Sequence, residues 1–261
     1  MRRTNLLFLT IVIALLLPSF ICAQKVEDLI KQGDEFAEEK FDNQKALEKY
    51  LLADKVSPKN WEVLWRISRA YVDITEHMPS STDEQKDAQL AKYETALDYA
   101  ERAIKLAPDK SVTYLRRAIA NGRIALFKGV FSVIGIVNSV KADLEKAIKL
   151  GNGGKDIQAT AHYVLGRTHA KVCEKAYLIR LPLGLGWGDV DIAGKEYLKA
   201  IELRPNYRMF YLDLGKLLID NEEYEMARDY LSKIEKSPKQ DEDDDKFLAE
   251  AKSLLNQIKN K

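Results

Sequence analysis

RAIKLAP at residues 102–108 recurs as KAIKL at 146–150 and as KAIELRP at 199–205. Each copy places a small residue on one face of a helix, and two of the three end in a proline, which stops a helix. The small residue of these strings has counterparts at Ala53 and Ile234. The five equivalent positions are Ala53, Ala103, Ala147, Ala200 and Ile234. They predict five helices that each approach a partner closely.

A second helix is predicted before each of the last four of these helices. Its segments carry apolar residues at helical spacing and are Trp61–Asp73, Ser111–Leu126, Ala159–Cys173 and Arg208–Asp220. Gly166 and Gly215 lie within them, and only a residue without a side chain permits the closest approach of two helices. The predicted fold is an all-α, right-handed solenoid. Its helix pairs are expected at about 24–60, 61–110, 111–154, 155–207 and 208–240.

This organisation resembles the tetratricopeptide repeat, a helix–turn–helix unit of about 34 residues. The five equivalent positions lie 50, 44, 53 and 34 residues apart, so three units carry insertions. An apolar stripe from Phe247 to Ile258 predicts a capping helix over 241–261. The acidic run 241–245 has two interpretations: a functional patch, or negative charge that favours the start of this helix.

Four short stretches of sequence indicate a particular family within this class of repeat protein. LWRISRAY at 64–71, NS at 138–139 before LEKAI at 144–148, VLGR at 164–167 and AIELRPNY at 200–207 are similar to the regulator of microtubule dynamics family. The similarity covers about residues 45–235. It implies a tetratricopeptide-like fold and an interaction role, and in animals this family is associated with microtubules and membrane tethering.

The N-terminus has the layout of a secretory signal. Basic residues at 1–3 precede an apolar run from Leu6 to Leu17, and a small residue follows at Ala23. We therefore expect an exported, bacterial, periplasmic protein cleaved after Ala23. The alternatives are a lipid anchor at Cys22 and an uncleaved membrane anchor. Cleavage would leave Cys173 as the single cysteine, so no internal disulfide could form.

The first helix of each pair is expected to line a concave groove. The predicted lining residues are Trp65, Arg69, Leu115, Ile119, Arg123, Tyr163, Arg167, Leu212 and Lys216. Aromatic and leucine side chains would form an apolar row beside a row of cations. Such a pair of rows suits an acidic or C-terminal peptide, or a lipid with a charged head group. The alternative is that the cations are solvated or pair with glutamates while the aromatic residues pack internally.

Two insertions are unusually apolar. Residues 124–140 read IALFKGVFSVIGIVNSV, predicted as a connection between helices, and residues 177–187 read YLIRLPLGLGW. They either cover the groove and enlarge the core, or wall a hydrophobic ligand site or dock on a membrane. A third insertion, 76–88, is polar, and its Ser81-Thr82-Asp83-Glu84 predicts a helix start with a capping box.

Composition argues against several function classes. The 41 Lys and Arg residues balance 40 Asp and Glu residues, which excludes nucleic-acid binding driven by bulk charge. His162, His169 and Cys173 are expected to be structural, and no nucleophile elbow, phosphate loop or metalloprotease motif occurs. The sequence therefore predicts a non-catalytic scaffold or adaptor for a protein partner, with no cofactor or metal. The alternative is a carrier of a lipid or other anionic amphiphile, and the oligomeric state stays open.

Overall fold

The computed structural model describes residues 24–261, which form twelve α-helices and no strand. They are α1 (24–38), α2 (Asn43–Val56), α3 (Trp61–Glu76), α4 (Asp83–Leu106), α5 (Ser111–Ala125), α6 (Val130–Leu150), α7 (Gly154–Cys173), α8 (Tyr177–Arg180), α9 (Val190–Leu203), α10 (Arg208–Asp220), α11 (Tyr224–Lys233) and α12 (Asp244–Gln257). The all-α expectation is confirmed. The predicted export signal at 1–23 lies outside the described residues and stays a prediction. Within 24–261, none of the helices has both the length and the apolar character that a membrane span requires.

The helices stack as pairs: α1 with α2, α3 with α4, α5 with α6, α7 with α9, and α10 with α11, while α12 packs on the last pair. The five equivalent positions of the sequence repeat are all fully buried, from Ala53 to Ile234. Small side chains there let neighbouring backbones approach, and the leucine and tyrosine side chains around them fill the remaining space. The core is therefore a continuous row of helix-pair interfaces along the solenoid.

Gly166 and Gly215 lie at close approaches of paired helices, as the sequence predicts. A methyl group on Gly166 would lie 2.9 Å from the carbonyl oxygen of Ala193 in α9, and one on Gly215 would overlap Leu231. Gly33 in α1 holds the same kind of place, since a methyl group there would overlap the Tyr50 ring. Sequence reasoning missed Gly33 because the strings around it do not match the other repeats.

Two of the three insertions lengthen helices. The polar insertion ends in the predicted helix start, but the capping box joins Thr82 to Gln85 rather than Ser81 to Glu84, and α4 then runs for 24 residues. The expectation that 124–140 is a connection is wrong, because α6 begins at residue 130. Apolar residues such as Ile136 in this extended helix pack against α5 and its neighbours, which stabilises the helical conformation.

The third insertion is a structured loop between α7 and α9. It contains the one-turn helix α8, and the Arg180 guanidinium donates hydrogen bonds to the carbonyl oxygens of Leu185, Gly186 and Gly188. Trp187 Nε1 donates to Asn138 Oδ1 in α6 at 2.8 Å. The base of the loop is thus fixed to the solenoid. Its tip is apolar and exposed, at Tyr177, Leu178, Ile179 and Leu181.

Candidate functional site

A concave groove of about 1960 Å³ runs along the first helices of the pairs. Helices α3, α5, α7 and α10 form its floor. The segment 239–243, which leads into α12, forms part of its wall. The fold therefore presents one face of each of these four helices to a common space.

Seven of the nine predicted lining residues lie on this groove. They are Trp65, Arg69, Ile119, Arg123, Tyr163, Arg167 and Lys216. Leu115 and Leu212 instead are fully buried in the cores of their helix pairs. The next residues in the chain, Arg116 and Asp213, line the groove in their place. Successive residues of a helix lie about 100° apart around its axis. A displacement of one residue therefore moves both leucines out of the expected apolar row.

The cations of the predicted basic row are paired with carboxylates. The Arg69 guanidinium lies 2.9 Å from a Glu38 carboxylate oxygen and 3.3 Å from one of Asp73. The other pairs are Arg123 with Glu76, Arg167 with Asp213 at 3.9 Å, and Lys216 with Glu250 at 2.8 Å. Burial raises the pKa of Glu76, and the Arg123 charge only partly offsets this rise. The row is thus neutralised within the protein instead of presenting free positive charge.

Tyr163 contributes mainly to packing. Its side chain is 3% exposed, and its ring stacks on Phe210 with the ring centroids 4.8 Å apart. The hydroxyl donates a hydrogen bond to Asp213 Oδ2 at 2.7 Å. Burial raises the pKa of Tyr163 well above its ordinary value, and the Asp213 charge adds to the rise. Tyr163 therefore stays a neutral donor that holds Asp213 at the groove floor.

The acidic residues 241–243 connect the two ends of the solenoid across the groove. Asn43 Nδ2 in α2 donates to Glu242 Oε1 at 2.9 Å, and His77 Nε2 lies 3.2 Å from Asp243 Oδ2. The Tyr207 hydroxyl donates to Asp241 Oδ2 at 2.5 Å. Asp244 and Asp245 lie in the first turn of α12, as the helix-start interpretation expects, and Asp244 accepts from the backbone amides of Gln240 and Asp241 just before the helix. Residues 241–243 contact distant helices, and the interpretation as a functional patch stays a prediction.

His77 is placed to carry a proton at this junction. Its Nδ1 lies 2.9 Å from the Asp73 carbonyl oxygen, and its Nε2 faces the Asp243 carboxylate. Both ring nitrogens therefore face acceptors, which favours the doubly protonated ring. Burial opposes the charge, but the Asp73 carbonyl and the carboxylates of Glu242 and Asp243 outweigh it and raise the pKa of His77.

Arg116, like Asp213, is a groove residue that sequence reasoning missed. Its guanidinium carbon lies 5.5 Å from the Trp65 ring centroid, and its Nε is buried without a hydrogen-bond partner. Burial, together with repulsion from Arg69, lowers the pKa of Arg116 to about 10. The apolar spacing in α5 gave no sign of Arg116, because such spacing predicts which face of a helix is buried to within one residue only.

The histidines and Cys173 do not form a metal site. His162 Nδ1 pairs with Glu196 Oε2 at 2.6 Å, and the buried His169 ring meets the Trp187 ring edge-on with centroids 5.1 Å apart. Burial lowers the pKa of His169. Over residues 24–261, no group of three or more potential ligands is arranged to hold a metal ion.

The stacked pairs and their concave groove define an α-solenoid of the tetratricopeptide-repeat class. A thermophilic TPR protein of Thermus thermophilus superposes with a TM-score of 0.65 at 16% identity, over 88% of this chain and 99% of that chain. Pseudomonas aeruginosa pilF superposes with a TM-score of 0.57 at 12% identity, over 91% and 93%. At these identities the likeness concerns the fold alone.

The family follows from the sequence comparison. The family described as regulator of microtubule dynamics protein 1-3 matches residues 29–259, and the chain belongs to this family. It is 28% identical over 248 residues to regulator of microtubule dynamics protein 3 of Rattus norvegicus, covering 88% of this chain and 49% of that protein. For regulator of microtubule dynamics protein 1 of Mus musculus the values are 29% over 237 residues, 88% and 74%. The chain thus spans about half the length of the rat protein.

Proposed function

We propose that the protein is a non-catalytic scaffold that holds an extended segment of a partner protein in its concave groove. The observation that supports this most directly is the groove of about 1960 Å³ along four first helices, which is lined by polar and apolar side chains. The tetratricopeptide-like fold supports a role of this kind, since such solenoids present extended concave binding surfaces.

The groove offers a site at which it can be blocked without damage to the fold. Gly122 lies on α5 and lines the groove, and a Cβ atom added there would meet nothing within 4 Å. Gly135 on α6 is equally open, but it lies outside the groove lining. Gly122→Trp should therefore fill the groove, while Gly135→Trp is its matched control.

The test is selection of peptides from two displayed random libraries, one with free C-termini and one with internal positions only, on the full chain. We expect peptides that bind the wild type and Gly135→Trp but not Gly122→Trp, because only the last variant obstructs the groove. Circular dichroism should show equal helicity for all three proteins. If the selected peptides bind Gly122→Trp as well as wild type, or if no peptide binds, groove binding is refuted.

A lipid carrier is the second candidate function, and the tip of the third insertion favours it. The side chain of Leu178 is 83% exposed, and Tyr177, Ile179 and Leu181 beside it are exposed as well. Water-exposed apolar clusters of this kind often mark interaction sites. Ile179, Leu183 and Leu185 also line one end of the groove, so an acyl chain could enter from the tip.

Organic extraction of the purified full chain, followed by mass spectrometry, tests the carrier function. A stoichiometric lipid that is lost in Leu178→Ser but kept in Met226→Ser would support it. Met226 is the control because it is 48% exposed and lies in α11, outside the insertion. Absence of lipid from the wild-type protein would contradict the carrier function.

We also propose that the scaffold acts after export, in a periplasm. The basic start, the apolar run from Leu6 to Leu17 and the small residue Ala23 support this location. Sequencing the N-terminus of the protein purified from its native cell should give Gln24. An N-terminus at Met1 would contradict cleavage, and lipid attached to Cys22 would favour anchoring instead.

A further inference from the structure

We propose that Arg116 and the Trp65 ring form a carboxylate-binding site in the concave groove, so that the partner segment is held through an acidic side chain or its C-terminal carboxylate. The inference rests on the proposed function, since it names the chemistry of the segment that the groove would hold. It differs from the sequence-based expectation, which assigned anion binding to Arg69, Arg123, Arg167 and Lys216.

The first observation is that Arg116 lacks a partner where its neighbours have one. The arginines of the predicted basic row are already paired, Arg66 contacts Asp34 at 2.7 Å, and Arg204 lies 3.8 Å from Asp156. Arg180 is bound by backbone carbonyl oxygens. Within the described part of the chain, Arg116 is the groove arginine with neither an ion pair nor a hydrogen bond.

The second observation is the cost of that arrangement. The Arg116 side chain is partly exposed, but its Nε is buried, and a buried polar atom without a hydrogen bond is rare in folded proteins. Even so, a pKa of about 10 keeps Arg116 charged at neutral pH. An anion that enters the groove would satisfy the buried Nε and the charge together.

The chemistry of Arg116 favours a carboxylate. Its guanidinium carbon lies 5.5 Å from the Trp65 ring centroid, and the Arg66 guanidinium, which is bound to Asp34, lies 4.3 Å from the same centroid. A guanidinium without a partner of its own can bind a carboxylate through two parallel hydrogen bonds.

The experiment compares peptide selection on full-length wild type, Arg116→Gln and Arg102→Gln. Arg102 is the matched control because its guanidinium lies 4.7 Å from the Tyr99 ring centroid, outside the groove lining. We expect peptides selected on wild type to be enriched in Asp and Glu, or to need a free C-terminus. The two libraries distinguish these two sources of the carboxylate.

For one selected peptide, fluorescence anisotropy should show affinity falling about 10- to 100-fold in Arg116→Gln and unchanged in Arg102→Gln. Peptides without acidic enrichment that also bind amidated, or equal affinity for Arg116→Gln, would overturn the carboxylate site and leave groove binding intact. If no library yields a peptide that Gly122→Trp blocks, the proposed function fails and the carboxylate site fails with it.

The stability of Arg116→Gln distinguishes a binding role of Arg116 from a purely structural one. Because Arg116 makes no hydrogen bond or ion pair with the described residues, Arg116→Gln should unfold at the same denaturant concentration as wild type or at a higher one. Lower stability together with weaker binding would show that the residue supports the fold, and would overturn the proposal.

Discussion

Replacing Gly166 by alanine tests a close helix contact in which the added atom would meet the backbone of the partner helix. The added methyl group would lie 2.9 Å from the Ala193 carbonyl oxygen and 3.1 Å from side-chain atoms of both Glu196 and Tyr197. The nearest atom belongs to the backbone of α9, so no side-chain rotation can relieve the contact. Helix α9 would have to move away from α7, which opens a tightly packed interface.

The magnitude follows from two opposing effects. Alanine in a helix interior is about 0.8–1 kcal/mol more favourable than glycine. Overpacking a well-filled interface costs about 1–3 kcal/mol, and the backbone contact places this site in the upper part of that range. We therefore expect Gly166→Ala to lower the free energy of unfolding by about 1–2 kcal/mol.

Gly122→Ala is the matched control, since it lies in a helix with nothing within 4 Å of the added methyl group. It should raise the free energy of unfolding by about 0.5–1 kcal/mol. Urea denaturation followed by far-UV circular dichroism measures both variants. Equal shifts of the same sign would refute the close approach of α7 and α9, and with it the assignment of Gly166 as a packing glycine.

Three further predictions concern stability. Asp143→Asn should lower the free energy of unfolding by about 1.5–3 kcal/mol, because Asp143 is 5% exposed and accepts two hydrogen bonds from Arg117 at 2.7 and 2.6 Å. Urea denaturation measures the loss. A loss below about 0.5 kcal/mol, which is typical of a surface substitution, would contradict the prediction. The pKa of His77 is raised in the folded state, so its stabilising contribution is complete below the unfolded pKa of about 6.5 and is lost as pH rises through the folded pKa. His77→Gln should therefore destabilise more at about pH 5.5 than at about pH 8.5, and thermal melts showing the reverse order would refute the contact with Asp243. Thr82→Ala should cost about 1 kcal/mol through loss of the α4 capping box, and an unchanged melting temperature would show that the cap contributes nothing.

Much of the fold could be predicted because its signals are local. Helical spacing of apolar residues and small residues such as Ala103 and Ala200 are properties of short segments, and they recur with each pair. Gly166 was predictable for the same reason, since close helix contact requires a missing side chain. The helical nature of 130–140 was missed because an apolar run without clear periodicity fits a buried helix and a connection equally well.

The binding face was less predictable. Periodicity identifies a helix face to within about one residue, or about 100° of rotation, and this error exchanged Leu115 for Arg116. The error is small in sequence, but it replaces a buried apolar side chain by an unpaired cation. Trp65 lies on the groove, but its contact with Arg116, two helices further on, depends on how the pairs stack.

The amino-acid sequence by itself determined that this protein is a stack of helix pairs, because helix formation and close packing are governed by residues three, four and seven positions apart. Only the tertiary structure decided which charges remain free in the groove. Arg69 is neutralised by Glu38, 31 residues away, and the two ends of the solenoid meet through Asn43 and Glu242, 199 residues apart. Electrostatic pairing depends on distance in space, which no local pattern records.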